Sequence, residues 1–313
     1  MNSGIFDFKR VLRRFRRPLV TGAGTVEVVE RILLRTQTAT EVGYGEIAPW
    51  PGFPSENIPT ALEILRAAQG NLSRLGASVA ATSAYPCLAA ALSSCRYWTA
   101  IAAYNRSLPC AGLSSQNPQE ISAKLASGFR TLKIKITAST PLATMHAVLR
   151  SFDGTIRLDA NGALDLATAR AWVDFVRQES RIEFIEQPLA VGHAGYTSLG
   201  PEKVALDESF LTPAGLTWKG PVVVKPMLVG DWDAFLAWRK ADPQRAVTYS
   251  SCFETAIGRQ GALWLSAQDT RASAIGFDTL GRFEMDGRDR HTPGPRAQGA
   301  ADINWSAFWA ELT

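Results

Sequence analysis

Two lysines lie on a short run of residues that otherwise has the composition of a buried β-strand. The run is TLKIKI (residues 131–136), and Lys133 and Lys135 occupy alternate positions in it. Because successive side chains of a strand point to opposite faces, both ammonium groups lie on one face and the apolar side chains on the other. Unpaired ammonium groups are costly in a dry core, so we expect this face to line a cavity.

Acidic side chains stand at the ends of three later apolar runs. Asp159, Glu186 and Asp207 each follow hydrophobic residues, and no histidine or cysteine accompanies them. An all-oxygen ligand set suits a hard divalent cation, so the pattern predicts a Mg²⁺ site in preference to a Zn²⁺ site. Any one of these carboxylates alone could instead cap a helix or pair with an arginine. Their occurrence in order on successive runs favours a common site.

A further lysine, Lys225, ends a still later apolar run. In a barrel of strands it would stand across the mouth from Lys133 and Lys135, on the other side of whatever the metal holds. A partly desolvated lysine near a cation has a lowered pKa and can act as a general base. These residues therefore predict a metal ion and a lysine base that act on one bound molecule.

The elements that must position these residues alternate regularly from about residue 104 onwards. Short apolar runs are separated by amphipathic segments such as residues 165–180 and 231–242. The eight runs are residues 107–114, 131–136, 155–161, 182–188, 203–209, 221–228, 246–254 and 272–279. Eight strands with helices between most of them predict an α/β fold with a (β/α) barrel, whose active site lies at the carboxyl ends of the strands. The helices after Pro188 and Asp207 are expected to be short.

The rest of the chain predicts a second domain. Residues 1–100 contain alternating, strand-like segments and then helical ones, which indicates an N-terminal α+β capping domain. Residues 101–279 then form the catalytic barrel. Residues 280–313 are too few for another barrel unit, so we expect this tail to pack back on the capping domain. The glycine-containing residues 20–28 could close over the barrel mouth.

Composition and charge limit the classes of partner. Of the 313 residues, 46% are apolar and 20% are charged, which is enough to build a core. The net charge is +4, and residues 8–18 hold six of the 33 basic residues. Such a run could bind nucleic acid or anionic lipid, but a solvated strand face is favoured, and we predict neither partner. Without a cysteine pairing pattern, a signal peptide or an 18-residue apolar run, a cytoplasmic location away from the membrane is expected.

Five motifs of the sequence resemble those of the enolase superfamily, in its muconate-cycloisomerase-like branch. They are KIK (133–135), LDAN (158–161), IEQP (185–188), DES (207–209) and VVKP (223–226). Members of this superfamily use a lysine or histidine base with Mg²⁺. The resemblance covers the whole chain and implies a modified (β/α)7β TIM-like barrel with an N-terminal α+β capping domain.

Within that branch the chain is most similar to the o-succinylbenzoate synthase family. The similarity rests on GYGEIAPWPGF (43–53), on Arg157 before LDAN, and on SSCFET (250–255). It implies a lyase that eliminates water from 2-succinyl-6-hydroxy-2,4-cyclohexadiene-1-carboxylate through an enediolate, in menaquinone or phylloquinone biosynthesis. It also implies Mg²⁺, with Mn²⁺ as an alternative, a small-molecule substrate, and a monomer or homo-oligomer.

The same resemblance assigns roles to individual residues. It gives the metal ligands as Asp159, Glu186 and Asp207, the catalytic lysines as Lys133, Lys135 and Lys225, the substrate-binding residues as Arg157, Asn161, Ser250 and Ser251, and a supporting acid as Glu208. Lys135 would take the proton, Lys133 would assist electrostatically, and Lys225 would stabilise charge from the opposite side.

Simpler roles remain open for the supporting residues. Asn161 could be a turn residue, Arg157 could pair with a neighbouring carboxylate, Ser250 and Ser251 could end a strand, and Glu208 could be a cap. Gly43 and Gly45 are expected to be ordinary hairpin glycines, and Cys252 to be a packed thiol.

Other reactions of the same scaffold stay open to different degrees. A dipeptide epimerase typically has Asp-x-Asp on the last strand, whereas this chain has Asp278 followed by Leu280. A mandelate-racemase-type histidine base is missing from residues 246–254. An N-succinylamino acid racemase would use the same lysines, and a muconate cycloisomerase has the same fold, so the fold alone does not separate them from the dehydratase.

Overall fold

The N-terminal part of the structure is an antiparallel sheet followed by helices. The structure is a computed structural model that describes residues 4–271 and 273–312. The elements are β1 (Ile5–Thr21), β2 (Gly24–Gln37), β3 (Val42–Ile47), α1 (Ile58–Ala68), α2 (Leu72–Ala80), α3 (Pro86–Arg96) and α4 (Trp98–Ala102). The sheet order is β1-β2-β3, so the chain forms the strands and then the helices that its sequence predicts here.

Two glycines let helix α3 lie directly against strand β3. A methyl group on Gly43 would come within 2.2 Å of the Cys95 carbonyl oxygen, and one on Gly45 within 2.2 Å of the Ala91 carbonyl oxygen. The expectation that these are ordinary hairpin glycines is wrong, since both lie inside β3 and permit close approach of a helix.

Parallel strands form the barrel. They are β5 (Gly112–Ser114), β6 (Thr131–Lys135), β7 (Thr155–Asp159), β8 (Ile182–Glu186), β9 (Val204–Ala205), β10 (Val222–Val224) and β11 (Val247–Tyr249). β5 to β9 pair in chain order, and β10 pairs with β11. Single bridges join Leu206 to Val222, Ser250 to Gly276 and Cys110 to Ile275. The ring therefore closes with eight strand positions, although the eighth consists only of the bridging residues Ile275 and Gly276.

The first predicted strand is divided in two. Its first half is β4 (Ser107–Pro109), which pairs antiparallel with β12 (Arg296–Gln298) of the C-terminal tail. Its second half is β5, which enters the barrel. Residues 107–114 are thus not one strand, because the tail provides a competing partner for their first half.

Helices surround the barrel, and two of them are only one turn long. The helices are α5 (Pro118–Ala126), α6 (Leu142–Ser151), α7 (Leu166–Gln178), α8 (Tyr196–Leu199), α9 (Pro213–Leu216), α10 (Trp232–Ala241), α11 (Ala256–Ser266) and, in the tail, α12 (Trp305–Glu311). The short α8 and α9 confirm the prediction for these units. In the described part of the chain, no helix has the length and apolar character needed to cross a bilayer.

The C-terminal tail lies against the N-terminal part of the chain. Trp305 of α12 packs edge-on against Trp98 at 5.1 Å between ring centroids, and Trp309 packs against Tyr44 at 5.7 Å. The tail also forms ion pairs with part of the basic run at residues 8–18. Arg13 is fully buried and pairs with tail carboxylates, so its charge is neutralised within the protein.

Candidate active site

Polar side chains gather where the central strands end. Lys135 on β6, Asp159 on β7 and Glu186 on β8 are register partners on three neighbouring strands. Asp207 follows β9, and Lys225 follows β10. All five therefore lie at the carboxyl ends of parallel strands, which is the end of a barrel that carries the active site.

Below the ends of β8, β9 and β10 the barrel interior is apolar. Phe184, Ala205 and Val223 form a buried cluster of their own. Each lies two positions before a polar residue at the end of its run, and residues two apart share one face of a strand. The polar side chains of β8, β9 and β10 therefore point inward, above a dry layer that separates them from the other end of the barrel.

Lysine ammonium groups pair with the acidic residues. Lys133 Nζ lies 2.8 Å from Asp159 Oδ2 and 2.7 Å from Glu186 Oε1. Lys225 donates to both carboxylate oxygens of Asp207. The arrangement links strands β6, β7 and β8 on one side of the mouth and β9 and β10 on the other.

The three lysines differ in how firmly they hold their protons. Burial acts to lower the pKa of Lys133, but the carboxylates of Asp159 and Glu186 outweigh burial and raise it. The pKa of Lys225 is likewise raised, because its acidic neighbours outweigh burial. Burial lowers the pKa of Lys135, and Asp159 only partly opposes this. Lys135 is therefore the lysine of the site that releases a proton most readily.

The hairpin between β1 and β2 covers the mouth beside Lys135. Lys135 Nζ donates a hydrogen bond of 2.6 Å to the Val20 carbonyl oxygen. A methyl group on Gly22 would come within 2.4 Å of the Asn161 carbonyl oxygen, so the hairpin tip touches the barrel loop after β7. The hairpin thus lies where closure over a ligand would require it, while the movement itself stays a prediction.

The donor set fits a divalent metal ion. Four carboxyl groups, those of Asp159, Glu186, Asp207 and Glu208, lie beside three lysines, so acidic groups outnumber basic ones. Glu208 Oε2 is buried and has no hydrogen-bond partner within residues 4–271 and 273–312. Within the same residues no three metal-ligating side chains are grouped as a ready-made site, and the lysines occupy the carboxylates instead. Buried carboxylates with excess negative charge are the ligands that Mg²⁺ prefers.

Gln187, the residue after β8, fixes the loop that carries Asp207. It has a left-handed φ of 41°. Its Oε1 accepts hydrogen bonds of 3.1 Å from the backbone N–H groups of Asp207 and Ser209, and its Nε2 donates to Ser209 Oγ at 2.7 Å. The buried amide thereby sets the direction in which the Asp207 side chain leaves the barrel wall.

Asn161 and Glu208 flank the metal-ligand candidates. Asn161 has a φ of 45° and donates its backbone N–H to Asp159 Oδ1 at 3.0 Å. This is the geometry of the turn role that the sequence left open. Burial, with the neighbouring Asp207 charge, raises the pKa of Glu208 to about 7. Glu208 therefore lies inside the acidic cluster and does not cap a helix among the described elements.

Arg157 lies one layer deeper than Asp159 and is 1% exposed. Its guanidinium donates 2.8 Å hydrogen bonds to Glu183 Oε2 and Ser273 Oγ, and a 2.5 Å bond to the Ala274 carbonyl oxygen. These partners occupy the guanidinium, so the geometry matches the ion pair that the sequence left open as the alternative to substrate binding.

Ser250 and Ser251 follow β11 but have different surroundings. Ser251 Oγ donates to Glu254 Oε2 at 2.5 Å and accepts from Phe253 N at 2.9 Å and from the Thr279 hydroxyl at 3.2 Å. Its hydrogen-bonding capacity is thus used within the protein. Ser250 Oγ makes a single long contact of 3.3 Å, to the Gly276 carbonyl oxygen. Of the two hydroxyl groups, Ser250 keeps capacity for a ligand.

Sequence reasoning missed several residues that contact the site or support the loops around it. The Phe53 ring centroid lies 4.5 Å from Lys225 Nζ, which places an aromatic face over this lysine. Gln187 and Glu254 were inside quoted motifs, IEQP and SSCFET, but no role was inferred for them. Glu46 lies in the GYGE segment and was passed over for its glycines. The partners of Gln187 on the Asp207 loop lie 20 or more residues away in the chain and the hydrogen-bond partners of Glu46 more than 200, whereas those of Glu254 lie two and three residues away.

Comparisons with known proteins agree with this geometry. The family described as Enolase C-terminal domain-like matches residues 118–218. An o-succinylbenzoate synthase from Thermosynechococcus vestitus is 31% identical over 288 residues, covering 84% of this chain and 88% of the relative. One from Yersinia enterocolitica is 27% identical over 270 residues, covering 80% of this chain and 82% of the relative.

Solved structures confirm the predicted barrel with its N-terminal domain. The o-succinylbenzoate synthase of Thermosynechococcus elongatus, complexed with Mg in its active site, matches with a TM-score of 0.80 and 25% identity, covering 98% of this chain and 100% of that chain. A dipeptide epimerase from Methylococcus capsulatus, 20% identical with a TM-score of 0.77, shares the fold. With a relative above 30% identity over most of both sequences, the chain belongs to the o-succinylbenzoate synthase family of the enolase superfamily.

Proposed function

We propose that the chain eliminates water from 2-succinyl-6-hydroxy-2,4-cyclohexadiene-1-carboxylate to give o-succinylbenzoate. The observation that carries this proposal is the placement of the lysines. Lys133 and Lys135 lie on β6, and Lys225 follows β10, four strands away in a ring of eight. The two sets of lysines therefore face each other across the mouth. A flat ring bound between them has an ammonium or amine group on each face.

Lys135 is proposed to remove the proton α to the ring carboxylate. Its side chain is exposed at the edge of the mouth, and partial desolvation by the surrounding protein still lowers its pKa, so its neutral amine is more accessible than that of Lys133 or Lys225. Its Nζ already donates to a backbone carbonyl, which orients the group at the edge of the cavity. After the transfer, protonated Lys135 is proposed to return the proton to the departing hydroxide, so that water leaves.

Lys133 and Lys225 are proposed to remain protonated and to stabilise negative charge. The carboxylates around each of them hold the proton in place. Fixed cations on opposite faces favour the charge that develops on the substrate carboxylate when the α-proton leaves. The Phe53 ring packs on Lys225 and favours its charged form.

Asp159, Glu186 and Asp207 would hold the metal ion, with Glu208 beside them. The metal is proposed to be Mg²⁺, which Mn²⁺ can replace because it accepts the same oxygen ligands. When bound, such a cation supplies Lewis-acid stabilisation of the developing carboxylate charge. The chain supplies the buried, net-negative ligands and the Gln187 clamp that orients the loop of Asp207.

Among the other reactions of the scaffold, an N-succinylamino acid racemase is the second candidate. The same lysines on two faces could move a proton from one face of an α-carbon to the other. A dipeptide epimerase is disfavoured, since Asp278 pairs with Lys124 and accepts a 2.8 Å hydrogen bond from Leu113 N. Its carboxylate is thus engaged in the protein wall.

The remaining parts of the proposal concern context. Ser250 is proposed to contact the substrate, since its hydroxyl keeps free capacity. The product would enter menaquinone or phylloquinone biosynthesis, and the protein would act in the cytoplasm on a small molecule, as a monomer or homo-oligomer. Neither nucleic acid nor membrane is proposed as a partner, since the most buried arginine of the basic run is neutralised internally.

The test follows the diene absorbance of the cyclohexadiene substrate, which is lost when the ring becomes aromatic. We expect loss in the presence of Mg²⁺, no loss with EDTA, and at least about a 10²-fold slower loss in Lys135→Ala. Lys240→Ala, an exposed lysine on α10, is the control and should match wild type. If wild type with Mg²⁺ leaves the diene unchanged but exchanges the α-hydrogen of N-succinylamino acids with deuterium, the racemase replaces the dehydratase.

A further inference from the structure

All three strands of the N-terminal sheet send a buried charged side chain to one segment of the barrel. The segment is residues 252–258, which runs from the loop after β11 into helix α11. Arg13 of β1 is 0% exposed, Arg31 of β2 1% and Glu46 of β3 0%. None of these side chains touches the strand-end lysines or carboxylates in the hydrogen bonds and ion pairs of the described residues.

Glu46 binds the start of helix α11. Its carboxylate accepts hydrogen bonds from Thr255 N at 3.0 Å, Thr255 Oγ1 at 2.6 Å and Gly258 N at 3.1 Å. A methyl group on Gly258 would come within 2.6 Å of Glu46 Oε2, so a larger residue would displace the acid. The carboxylate therefore acts as the helix cap from another part of the chain.

The two arginines bind the loop just before that helix. Arg31 Nη2 donates to the Cys252 carbonyl oxygen at 2.7 Å, and Arg13 Nη1 donates to the Glu254 carbonyl oxygen at 2.8 Å. Arg31 Nε lies 3.5 Å from Glu46 Oε1, which joins the two contacts into one buried network. The backbone of residues 252–258 is thus held at successive points from the N-terminal sheet.

This hold determines the conformation next to Ser250 and Ser251. Phe253 has a left-handed φ of 65°, which is unfavourable for a side chain of this size and needs support from its surroundings. Its ring stacks on Trp50 at 4.8 Å between centroids. Glu254 turns back on the loop and accepts from the Ser251 hydroxyl and from Cys252 N.

We infer that Glu46 is a positioning residue for the segment 252–258, which adjoins Ser250, and that Arg31 acts with it. This inference rests on the proposed function, because it assumes that Ser250 contacts the substrate. Glu46 acts through the backbone of residues 255–258 and not on the substrate itself. A glutamine at this position keeps one oxygen acceptor, so its NH₂ group would face either the N–H groups of Thr255 and Gly258 or Arg31 Nε, and the segment would move away from its native conformation.

The experiment compares Glu46→Gln with Glu56→Gln. Glu56 is a matched control, because it is also a buried carboxylate that binds the start of a helix, accepting from Leu88 N at 2.6 Å and Cys87 N at 3.1 Å, but it contacts only the N-terminal part. We expect Glu46→Gln to raise KM about tenfold or more with a smaller change in kcat, and Glu56→Gln to leave KM unchanged at a similar loss of thermal stability. The Mg²⁺ dissociation constant, measured by calorimetry, should be the same in both.

Hydrogen exchange separates this inference from the proposed function. The amides of residues 252–258 should exchange faster in Glu46→Gln than in wild type or Glu56→Gln, even if wild type does not turn over the proposed substrate. Thr255→Val, which removes only the 2.6 Å hydroxyl contact, should give the same effects in weaker form and serves if Glu46→Gln does not fold. Unchanged exchange in Glu46→Gln, or an equal KM rise in both glutamine variants, would overturn the inference.

Discussion

The barrel mouth and the segment 252–258 both bury charged groups, but they satisfy them differently. At the mouth, acidic groups outnumber lysines and Glu208 Oε2 has no partner within the described residues. In the segment, each oxygen of the Glu46 and Glu254 carboxylates accepts at least one hydrogen bond from the protein. The first arrangement leaves interactions to be completed by a ligand. In the second, both carboxylates are fully hydrogen-bonded, and within the described residues only Arg31 Nε of this network lacks a hydrogen bond, although it lies 3.5 Å from Glu46 Oε1.

This difference separates binding from positioning. A buried polar group that lacks a partner costs free energy, and a site that binds a cation or an anion recovers that cost when the ligand arrives. A saturated network gains nothing from a ligand but fixes the backbone. We therefore expect substitutions at the mouth to change metal binding and turnover, and substitutions in the saturated networks to change stability or KM.

Strand β8 carries one acid of each kind, Glu186 at the mouth and Glu183 in the barrel wall, so two variants on one strand give the largest expected difference. Glu186→Gln should lower kcat/KM by at least about 10³-fold and weaken Mg²⁺ binding, since it removes a proposed ligand from the net-negative cluster. Glu183→Gln lies three positions earlier and disturbs only the Arg157 ion pair. It should lower the free energy of unfolding by only about 1 to 2 kcal/mol, because Glu183 is partly exposed and its ion pair is screened by solvent. Its kcat/KM should stay near that of wild type.

Calorimetric titration with Mg²⁺ and urea unfolding together separate the two variants. If Glu183→Gln loses turnover at full stability, Arg157 serves the substrate and not the barrel wall. If Glu186→Gln retains Mg²⁺ affinity, Glu186 is not a metal ligand.

The strand-end residues could be predicted because the pattern that marks them lies within a few neighbouring residues of the sequence. A polar residue that ends an apolar run, repeated at barrel spacing, marks the mouth, and this indicated Lys135, Asp159 and Glu186 without any partner being known. The saturated network was not predictable, because the partners of Glu46 lie more than 200 residues away in the chain. No local pattern shows that the helix beginning after Thr255 will be capped by an acid from another strand.

The divided first strand illustrates the same limit. Residues 107–114 are apolar enough for one strand, yet the tail strand β12 pairs with their first half. Pairing between segments so far apart depends on where the whole chain places the tail, and composition alone carries no information on it. The short α8 and α9, by contrast, followed directly from the spacing of the runs.

His291 supplies an unsatisfied group outside the mouth, and it should cost stability without affecting chemistry. Its Nε2 lies 3.0 Å from Gln260 Oε1, while Nδ1 is buried without a partner in the residues that the structure describes. Burial, with the Arg259 charge, lowers the pKa of His291 from 6.5 to about 3. The folded protein thus keeps the ring neutral where the unfolded chain takes up a proton.

Stability contributed by His291 is therefore full above pH 6.5 and is lost as the pH falls from about 6.5 towards 3. Between pH 7 and pH 5 the loss is at most about 2 kcal/mol, an upper value because the ring is partly exposed. Urea unfolding of wild type and His291→Gln at both pH values measures it. The slope should be shallower in the variant, and parallel slopes would show that other groups carry the acid sensitivity.

The smallest expected difference lies between two adjacent hydroxyl groups, and it tests the comparison within a single loop. Ser251→Ala removes a donor to Glu254 and an acceptor for Phe253 N, so it should lower the free energy of unfolding by about 1 to 2 kcal/mol. Ser250→Ala removes one 3.3 Å contact and should cost less than about 0.5 kcal/mol, yet raise KM for the cyclohexadiene substrate severalfold. Unfolding and steady-state kinetics on the same two proteins decide the matter. If Ser251→Ala raised KM at unchanged stability, a hydroxyl with all its bonds made inside the protein would still be serving the substrate, and saturation would not distinguish positioning from binding in this site.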